Sequence, residues 1–341
     1  MTCTCFIIPK SVLERFAADE TLTDASRAAF AETASLEPVW RKLRTAHSEA
    51  TQERLAIAPD VETLAPAPAT PVFDCKHSMS LPGTAIPNPA GDPTAKRASD
   101  EAAAVAKFYQ DCFGRNSVDN AGKTLVSSVH YGSLYNNAFW NGSQMAYGDG
   151  DGKILIDFTQ SNDVIGHELT HGVTQYTLGL GYANQPGALN EGISDVFGSM
   201  FRQWQNGQSV TAADWLIGSG IMGPTANARG YTCLRDMAHP DAAHCLSAQP
   251  ADFAHYVPGG DPHVNSGIPN RAFYLMAMAI GGNSWEKTGK VWYAALTAGS
   301  SPKISFKAFA KRTRTAAAQL FPGEPLVLAG VNAGWKGVGV S

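Results

Sequence analysis

Two histidines and a glutamate, His167, Glu168 and His171, lie within five consecutive residues of this chain. On a helix, residues four apart share a face, so both imidazoles can reach one metal ion. Glu168 is offset by one position and can take a proton from a water held beside the metal. The pattern therefore indicates a zinc site that carries its own general base.

A zinc ion that activates water needs a third protein ligand and one open position. Glu191 can supply this ligand, and it lies four residues before Asp195 in the largely apolar run 188–198. We expect Asp195 and Asn190 to accept hydrogen bonds from the ligand histidines and so to fix their tautomers. A solvated acidic helix face is the plainer alternative, but carboxylates among apolar residues are costly to bury without partners.

The order and spacing of these motifs resemble the thermolysin family of zinc endopeptidases. The glutamate of the segment Asn-Glu-Gly-Ile-Ser-Asp follows the first histidine of His-Glu-Leu-Thr-His by 24 residues, as Glu191 follows His167. The other matching positions are the segments 137–142, 148–152 and 270–275 and the single residues Tyr182, Arg235 and His263. The resemblance covers residues 73 to 341. It implies an α+β fold of two lobes, β-rich at the N-terminal side and mostly helical at the C-terminal side, with the zinc helix between them.

The same resemblance implies roles for residues around the metal. His263 and Tyr182 correspond to donors that stabilise the oxyanion formed during peptide hydrolysis. Asp261 lies two residues before His263 and is expected to orient its ring, as in some branches of the family. Other branches place this acid five residues before the histidine, where this chain has Pro258.

Substrate contacts follow from the matched segments as well. Asn137 and Ala138 are expected to present a strand edge to an extended peptide, and Arg235 to bind a substrate carbonyl. By family position, four apolar residues line the pocket for the residue after the cut, which predicts a preference for a bulky hydrophobic side chain there. They are Leu155, Phe158, Val164 and Leu234.

The first seventy residues have a different composition from the rest. Ser11 to Glu14 has a capping-box pattern, residues 24 to 57 suggest one or two helices with a break at Pro38, and residues 58 to 71 are rich in proline and alanine. We therefore divide the chain into a propeptide (1–58), a linker with the activation cleavage (59–72), an N-terminal α+β lobe (73–178) and a C-terminal helical lobe (179–341).

The propeptide resembles the short propeptides of protealysin-like members of the family, which carry a Cys-x-Ile-x-Pro-Pro-type segment in the active-site cleft. Here the corresponding segment is Cys5-Phe-Ile-Ile-Pro9, with Lys10 in place of the second proline. The hypothesis is a self-inhibited zymogen with a helical propeptide. The residues expected to block the cleft are Phe6, Ile7, Ile8 and Pro9.

The catalytic part departs from the larger family members at their double calcium site. Of the acids that bind the two calcium ions there, only Asp163 and Asp214 remain, and other residues fill the remaining positions. Two carboxylates rarely hold calcium without further oxygen ligands. We therefore predict no double calcium site and at most a single calcium ion. The residues that replace the acids are Arg202, Leu216 and Ser219.

Composition excludes several other classes. The net charge of −4 and the lack of a basic run give no sign of nucleic-acid binding, and no apolar stretch is long enough to span a membrane. Residues 1–10 lack a secretory signal pattern, so we expect synthesis in the cytoplasm, with any export by a route other than the general secretory one. The six cysteines form no dense disulfide pattern, although Cys233 and Cys245 are close enough in sequence to pair.

Secondary-structure patterns complete the expectations. Residues 94–113 predict an amphipathic helix that precedes two strand candidates, 126–131 and 153–157. Asp163 is the predicted N-cap of the zinc helix. Apolar helical faces are expected at 273–280, 285–296 and 306–320.

Two rival functions make different demands on the sequence. An inactive zinc-binding member that acts as a protein-binding module would have kept the histidines but lost Glu168, which is present. An aminopeptidase would need an acidic group for the free amine of its substrate, and no such motif is evident.

Overall fold

A computed structural model describes residues 5–36 and 67–341 of the chain. Its main sheet has six strands in the order β1-β5-β6-β4-β2-β3, with β2, β4 and β6 parallel and the other pairs antiparallel. The three central strands β4, β5 and β6 are buried along their whole length. The strands are β1 (Cys5–Phe6), β2 (Val72–Asp74), β3 (Thr84–Ile86), β4 (Ser127–Val129), β5 (Ala138–Trp140) and β6 (Met145–Tyr147).

The position of β1 is important for function. This strand comes from the N-terminal segment and pairs antiparallel with β5, with Phe6 opposite Phe139. The rings of these two residues pack with centroids 5.4 Å apart. The N-terminal segment therefore extends the sheet of the catalytic part along the edge predicted to receive substrate.

Helices make up most of the remaining described structure. The described helices are α1 (Lys10–Ala17), α2 (24–36), α3 (Pro93–Phe113), α4 (Asn162–Gln175), α5 (Asn184–Asn206), α6 (Pro224–Ala228), α7 (Pro262–Asn265), α8 (Gly267–Ile280), α9 (Lys287–Thr297), α10 (Phe306–Leu320) and α11 (Pro325–Gly337). The first two belong to the N-terminal segment, α3 packs on the sheet, and α4 and α5 contact each other closely. A second sheet pairs β7 (Leu216–Ile217) with β8 (Arg235–Asp236).

The close contact of α4 and α5 depends on glycine. A Cβ atom on Gly198 of α5 would lie 2.5 Å from the carbonyl oxygen of Asp163 in α4, and one on Gly166 would lie 3.1 Å from the Cα of Gly198. Any larger residue at these positions would push the helices apart. Because α4 carries the histidine pair and α5 carries Glu191, this distance sets the geometry of the predicted metal site.

Three local predictions were wrong. Residues 153–157 do not form a strand, and only Leu155 makes an isolated bridge, to Met222. The N-cap of α4 is Ser161, because Asp163 lies inside the first turn, where it accepts a hydrogen bond from the backbone N–H of Gly218. Ser11 does not cap α1, since that helix already begins at Lys10 after Pro9.

The C-terminal lobe is a helical bundle around buried aromatic residues. The indole rings of Trp292 in α9 and Trp335 in α11 are stacked at 5.8 Å, and Phe309 of α10 meets both edge-on. The three predicted apolar faces correspond to α8, α9 and α10, whereas α11 was not predicted. None of the helices among the described residues is long and apolar enough to cross a membrane.

A histidine between two carboxylates connects the sheet with α3. His130 Nδ1 lies 2.9 Å from Asp149 Oδ1, and its Nε2 lies 3.0 Å from Oδ2 of Asp92, the N-cap of α3. His77 also approaches Asp149, at 3.5 Å. The hydrogen bond with Asp149, opposed by burial and supported by Asp92, raises the pKa of His130 to about 9. His130 is therefore protonated at neutral pH and pairs with both carboxylates.

The N-terminal helices are attached to the catalytic part by polar contacts. Arg229 Nη1 lies 2.5 Å from Asp19 Oδ2, and Arg229 Nη2 donates to the hydroxyl of Thr21. Arg15 donates to the carbonyl oxygen of Leu246 at 2.7 Å. The expected break at Pro38 and most of the predicted linker lie outside the described residues.

Candidate active site

The three predicted metal ligands meet at one point. Nε2 of His167 and Nε2 of His171 are 3.0 Å apart, and Oε2 of Glu191 lies 3.4 Å and 3.7 Å from them. Two atoms bonded to one tetrahedral zinc ion at 2.0–2.1 Å lie about 3.3 Å apart, so these separations fit a shared ion. Both carboxylate oxygens of Glu191 are buried without a hydrogen-bond partner among the described residues. A cation between the three side chains would satisfy them.

The far side of each imidazole is held by an acceptor. His167 Nδ1 lies 2.8 Å from Asp195 Oδ1, and His171 Nδ1 lies 2.9 Å from Asn190 Oδ1. With the proton on Nδ1, the Nε2 lone pair of each ring is available to a metal. Ser194 was missed from the sequence, although its hydroxyl lies 3.0 Å from His171 Nδ1. Its position four residues after Asn190, on the same face of α5, was the available signal.

Glu168, the predicted general base, is held in place by β5. It is fully buried, and its Oε2 accepts a hydrogen bond of 2.9 Å from the backbone N–H of Trp140 in β5. Its Oε1 has no partner among the described residues. Burial, opposed by His167 and supported by Glu191, raises the pKa of the Glu168 carboxyl to about 8. The anchored oxygen fixes the orientation of the carboxyl group, and the raised pKa makes its ionised form a stronger proton acceptor.

A histidine and a tyrosine lie on the other side of the cluster. His263 Nε2 is 3.3 Å from Glu191 Oε2 and 3.4 Å from the hydroxyl of Tyr182. Asp261 Oδ1 lies 2.7 Å from His263 Nδ1 and also accepts the backbone N–H of His263. Burial opposes protonation of His263, but the charges of Glu191 and Asp261 outweigh it and raise the pKa of His263 to about 9. A protonated ring can donate from both nitrogens.

Arg235 is buried and held in one orientation. Its Nε and Nη2 donate to the two oxygens of Asp195 at 2.7 Å and 2.6 Å. Asn270, whose role was not predicted, donates to the same carboxylate at 2.7 Å. Burial, which favours the neutral acid, is outweighed by Arg235 and His167, so the pKa of Asp195 lies well below its usual range. Asp195 thus connects Arg235, the arginine predicted to bind substrate, with the predicted metal ligand His167.

The four predicted pocket residues are all fully buried and belong to one hydrophobic cluster. They are Leu155, Phe158, Val164 and Leu234. Leu234 precedes Arg235 in the chain, so one segment contributes an apolar side chain and the arginine.

The N-terminal segment lies in this cleft. The carbonyl oxygen of Phe6 accepts a hydrogen bond from His263 Nε2, and the carbonyl oxygen of Ile7 accepts one from Arg235 at 2.9 Å. Asn137 binds Ile8 twice, accepting its N–H at 2.9 Å and donating to its carbonyl oxygen at 3.1 Å. Ala138 accepts the N–H of Ile7 at 3.2 Å. Pro9 is also buried.

Comparison with known proteins gives a consistent result. The model of the thermolysin metallopeptidase catalytic domain matches residues 77–175, and that of the thermolysin α-helical domain matches residues 178–340. An extracellular metalloprotease of Pectobacterium carotovorum subsp. carotovorum is 43% identical over 283 residues, which cover 79% of this chain and 80% of that protein. A thermolysin of Alicyclobacillus acidocaldarius subsp. acidocaldarius is 38% identical over 253 residues, covering 70% of this chain and 44% of that protein.

The fold has a close structural counterpart. The precursor of protealysin, a metalloproteinase from Serratia proteamaculans, superposes with a TM-score of 0.84 at 37% identity, covering 99% of this chain and 100% of that one. This match confirms the predicted two-lobe α+β fold with helices in the N-terminal segment. The chain therefore belongs to the thermolysin family of zinc metallopeptidases, in its protealysin-like branch, and is a metalloendopeptidase.

Proposed function

We propose that this chain is the self-inhibited precursor of a zinc endopeptidase in which Glu168 is the general base and a bulky hydrophobic residue is preferred after the cut. The observation that carries the proposal is the substrate-like path of residues 6–8. Their backbone adds to the edge of β5, and Phe6, Ile7 and Ile8 meet His263, Arg235 and Asn137 in that order. An extended peptide substrate would use the same donors and acceptors.

The register of this segment assigns the subsites. The Phe6 carbonyl lies at His263, beside the ligand cluster, so the Phe6–Ile7 peptide stands where a scissile bond is expected. Ile7 then takes the place of the residue after the cut, and its side chain is fully buried. This placement, together with the apolar pocket residues, supports a preference for Leu, Ile, Val or Phe at that position.

The residues present fit zinc, with His167, His171 and Glu191 as its ligands. When bound, the ion would polarise the scissile carbonyl and acidify a water molecule. Glu168 accepts the proton of the attacking water at Oε1 and afterwards delivers it to the leaving amine. His263 and Tyr182 donate hydrogen bonds to the carbonyl oxygen as it becomes negatively charged.

The contacts of Arg202 support the prediction that the chain has no double calcium site. Its Nη2 lies 2.7 Å from Asp214 Oδ2, and its Nη1 lies 3.6 Å from Asp163 Oδ2. The guanidinium therefore supplies the positive charge next to both remaining carboxylates, and Arg202 also donates to the carbonyl oxygen of Leu216. This arrangement supports the proposal that the chain holds at most one calcium ion.

Activation would require release of the N-terminal segment, and we propose cleavage within residues 59–72. Synthesis in the cytoplasm without a general secretory signal stays a prediction. Mass spectrometry of active preparations tests the activation step, because an active enzyme that retains residues 1–70 covalently would contradict it. The same spectra would show whether the Phe6–Ile7 bond is cut.

The chemical proposal is tested with Glu168→Gln. This variant replaces the base with a neutral group of the same shape and leaves the three metal ligands intact. We expect unchanged zinc content by elemental analysis and loss of cleavage of an unstructured protein substrate. Equal cleavage by the variant and the wild type would refute Glu168 as the base. A fully processed wild-type protein that binds zinc but cuts no peptide would instead favour an inactive protein-binding module.

A further inference from the structure

A second group of metal-binding side chains lies outside the catalytic site. Cys233 and Cys245 are buried, and together with His244 they place three ligand atoms within 4.8 Å of one another. The two cysteines face each other across an isolated parallel bridge, and the backbone N–H of Leu246 donates to the carbonyl oxygen of Cys233 at 2.9 Å. No step of peptide hydrolysis uses these side chains.

The spacing of the sulfur atoms distinguishes between two chemistries. The two Sγ atoms are 3.9 Å apart. Two sulfurs bonded to one tetrahedral zinc ion at about 2.3 Å lie roughly 3.8 Å apart. A disulfide needs a separation of about 2.05 Å, so the observed distance matches a metal site without movement of either side chain.

The histidine is oriented by a buried carboxylate. Asp236 Oδ2 lies 3.2 Å from His244 Nε2, and Asp236 Oδ1 accepts the backbone N–H groups of Ala238 and His239. A carboxylate fixed in this way and bound to a histidine ring is the usual support of a metal ligand. The His244 side chain is 38% exposed, so an ion can enter from solvent on that side.

We propose that Cys233, His244 and Cys245 bind a thiophilic divalent cation such as Zn²⁺. Both thiols lose their protons to solvent on binding, and the fourth coordination position remains for water or a small external ligand. The site would connect the segment that begins at Cys233 and carries Arg235 to the segment that carries Leu246. Leu246 accepts a hydrogen bond from Arg15 of the propeptide. The ion would therefore lie between Arg235 and the contact of Leu246 with the propeptide.

The experiment uses Cd²⁺, which gives an ultraviolet charge-transfer absorption when it binds thiolates. The catalytic ligands include no thiolate, so this absorption reports only on a cysteine site. The full chain carries Glu168→Gln to prevent self-digestion. We expect one equivalent of Cd²⁺ to produce the absorption, and elemental analysis after zinc loading to find two ions per chain.

Variants then assign the signal to these residues. Cys233→Ala with Cys245→Ala should abolish the absorption and leave one zinc per chain. His244→Ala, at a partly exposed position, should fold normally and weaken Cd²⁺ binding by about tenfold or more. Cys3→Ser with Cys5→Ser, and separately Cys112→Ser, are matched controls that should leave the absorption unchanged.

Several results would overturn the proposal. Absorption that persists in the Cys233 and Cys245 double variant would place the thiolates elsewhere, and one zinc per loaded wild-type chain would mean that no second site exists. A wild-type protein that is two hydrogen atoms lighter, with a peptide linking Cys233 to Cys245, would show a disulfide instead. If the double variant does not fold, unchanged Cd²⁺ affinity in His244→Ala would be sufficient to reject the site.

Discussion

Replacement of Ile7 by alanine tests the inhibitory role of the N-terminal segment most directly. Ile7 is fully buried, and its N–H and carbonyl oxygen bind Ala138 and Arg235. The backbone contacts do not depend on the side chain, so Ile7→Ala removes only the apolar contribution. Because the Ile7 side chain is buried when the N-terminal segment is docked in the cleft, loss of that side chain should favour the undocked segment.

The magnitude follows from the buried surface. Isoleucine to alanine removes three carbon atoms, worth roughly 0.8 kcal/mol each, and with the cavity term the loss is about 2–5 kcal/mol. Since every 1.4 kcal/mol changes an equilibrium tenfold, the fraction of precursor with an open cleft should rise by about 30-fold or more. Activity of the uncleaved precursor should rise by the same factor until it reaches that of the processed enzyme.

The assay measures hydrolysis of a quenched fluorescent peptide by freshly purified precursor, with intact mass confirming that residues 1–70 are still attached. Glu14→Gln, an exposed change on α1, serves as the control and should leave the precursor as inactive as the wild type. Thermal unfolding of both variants checks that the catalytic part is intact. An Ile7→Ala precursor no more active than the wild type would show that this side chain does not hold the segment in the cleft.

Four further predictions concern charge and metal. Arg235→Lys cannot reproduce the two hydrogen bonds to Asp195, so kcat/KM should fall by at least about tenfold, and an unchanged value would contradict the substrate role. The pKa of His130 is raised to about 9 from 6.5, so its charge stabilises the fold fully below pH 6.5 and this stabilisation is lost as pH rises through 9. With 22% of the side chain exposed, the effect is discounted to about 1–2 kcal/mol, and the difference in unfolding free energy between wild type and His130→Gln should shrink over that range in urea titrations. A zinc chelator should abolish peptidase activity and added zinc should restore it, while metal analysis that finds two calcium ions per chain would refute the calcium prediction.

The periodicity of the sequence was sufficient to predict the metal ligands. Residues 167 and 171 share a helix face in any α-helix, and Asn190 and Glu191 follow from an apolar pattern of the same period. The helices α3, α8 and α10 were predicted for the same reason. The strand prediction for residues 153–157 failed because strand formation depends on pairing with distant segments. These residues are apolar enough for a strand, but only Leu155 has a bridge partner, Met222.

Side-chain roles that depend on distant segments were weaker predictions. Asn270 donates to Asp195, and Trp140 orients Glu168 through its backbone, which carries no sequence signal. Ser194 was missed beside His171 despite its helical spacing from Asn190. Asp195 was predicted to hold a histidine. Its simultaneous pairing with Arg235 depends on the position of β8 relative to α5, which the sequence does not specify.

By itself, the sequence was sufficient to predict the zinc ligands, the general base and an inhibitory segment, because each prediction rests on helical spacing or on a short continuous motif. The tertiary structure decided which residues of that segment contact His263 and Arg235, that Arg202 lies next to Asp163 and Asp214, and that Cys233, His244 and Cys245 converge. These features depend on distances between segments that are far apart in the chain, and those distances are set by packing, such as the glycine contact between α4 and α5, and not by local periodicity.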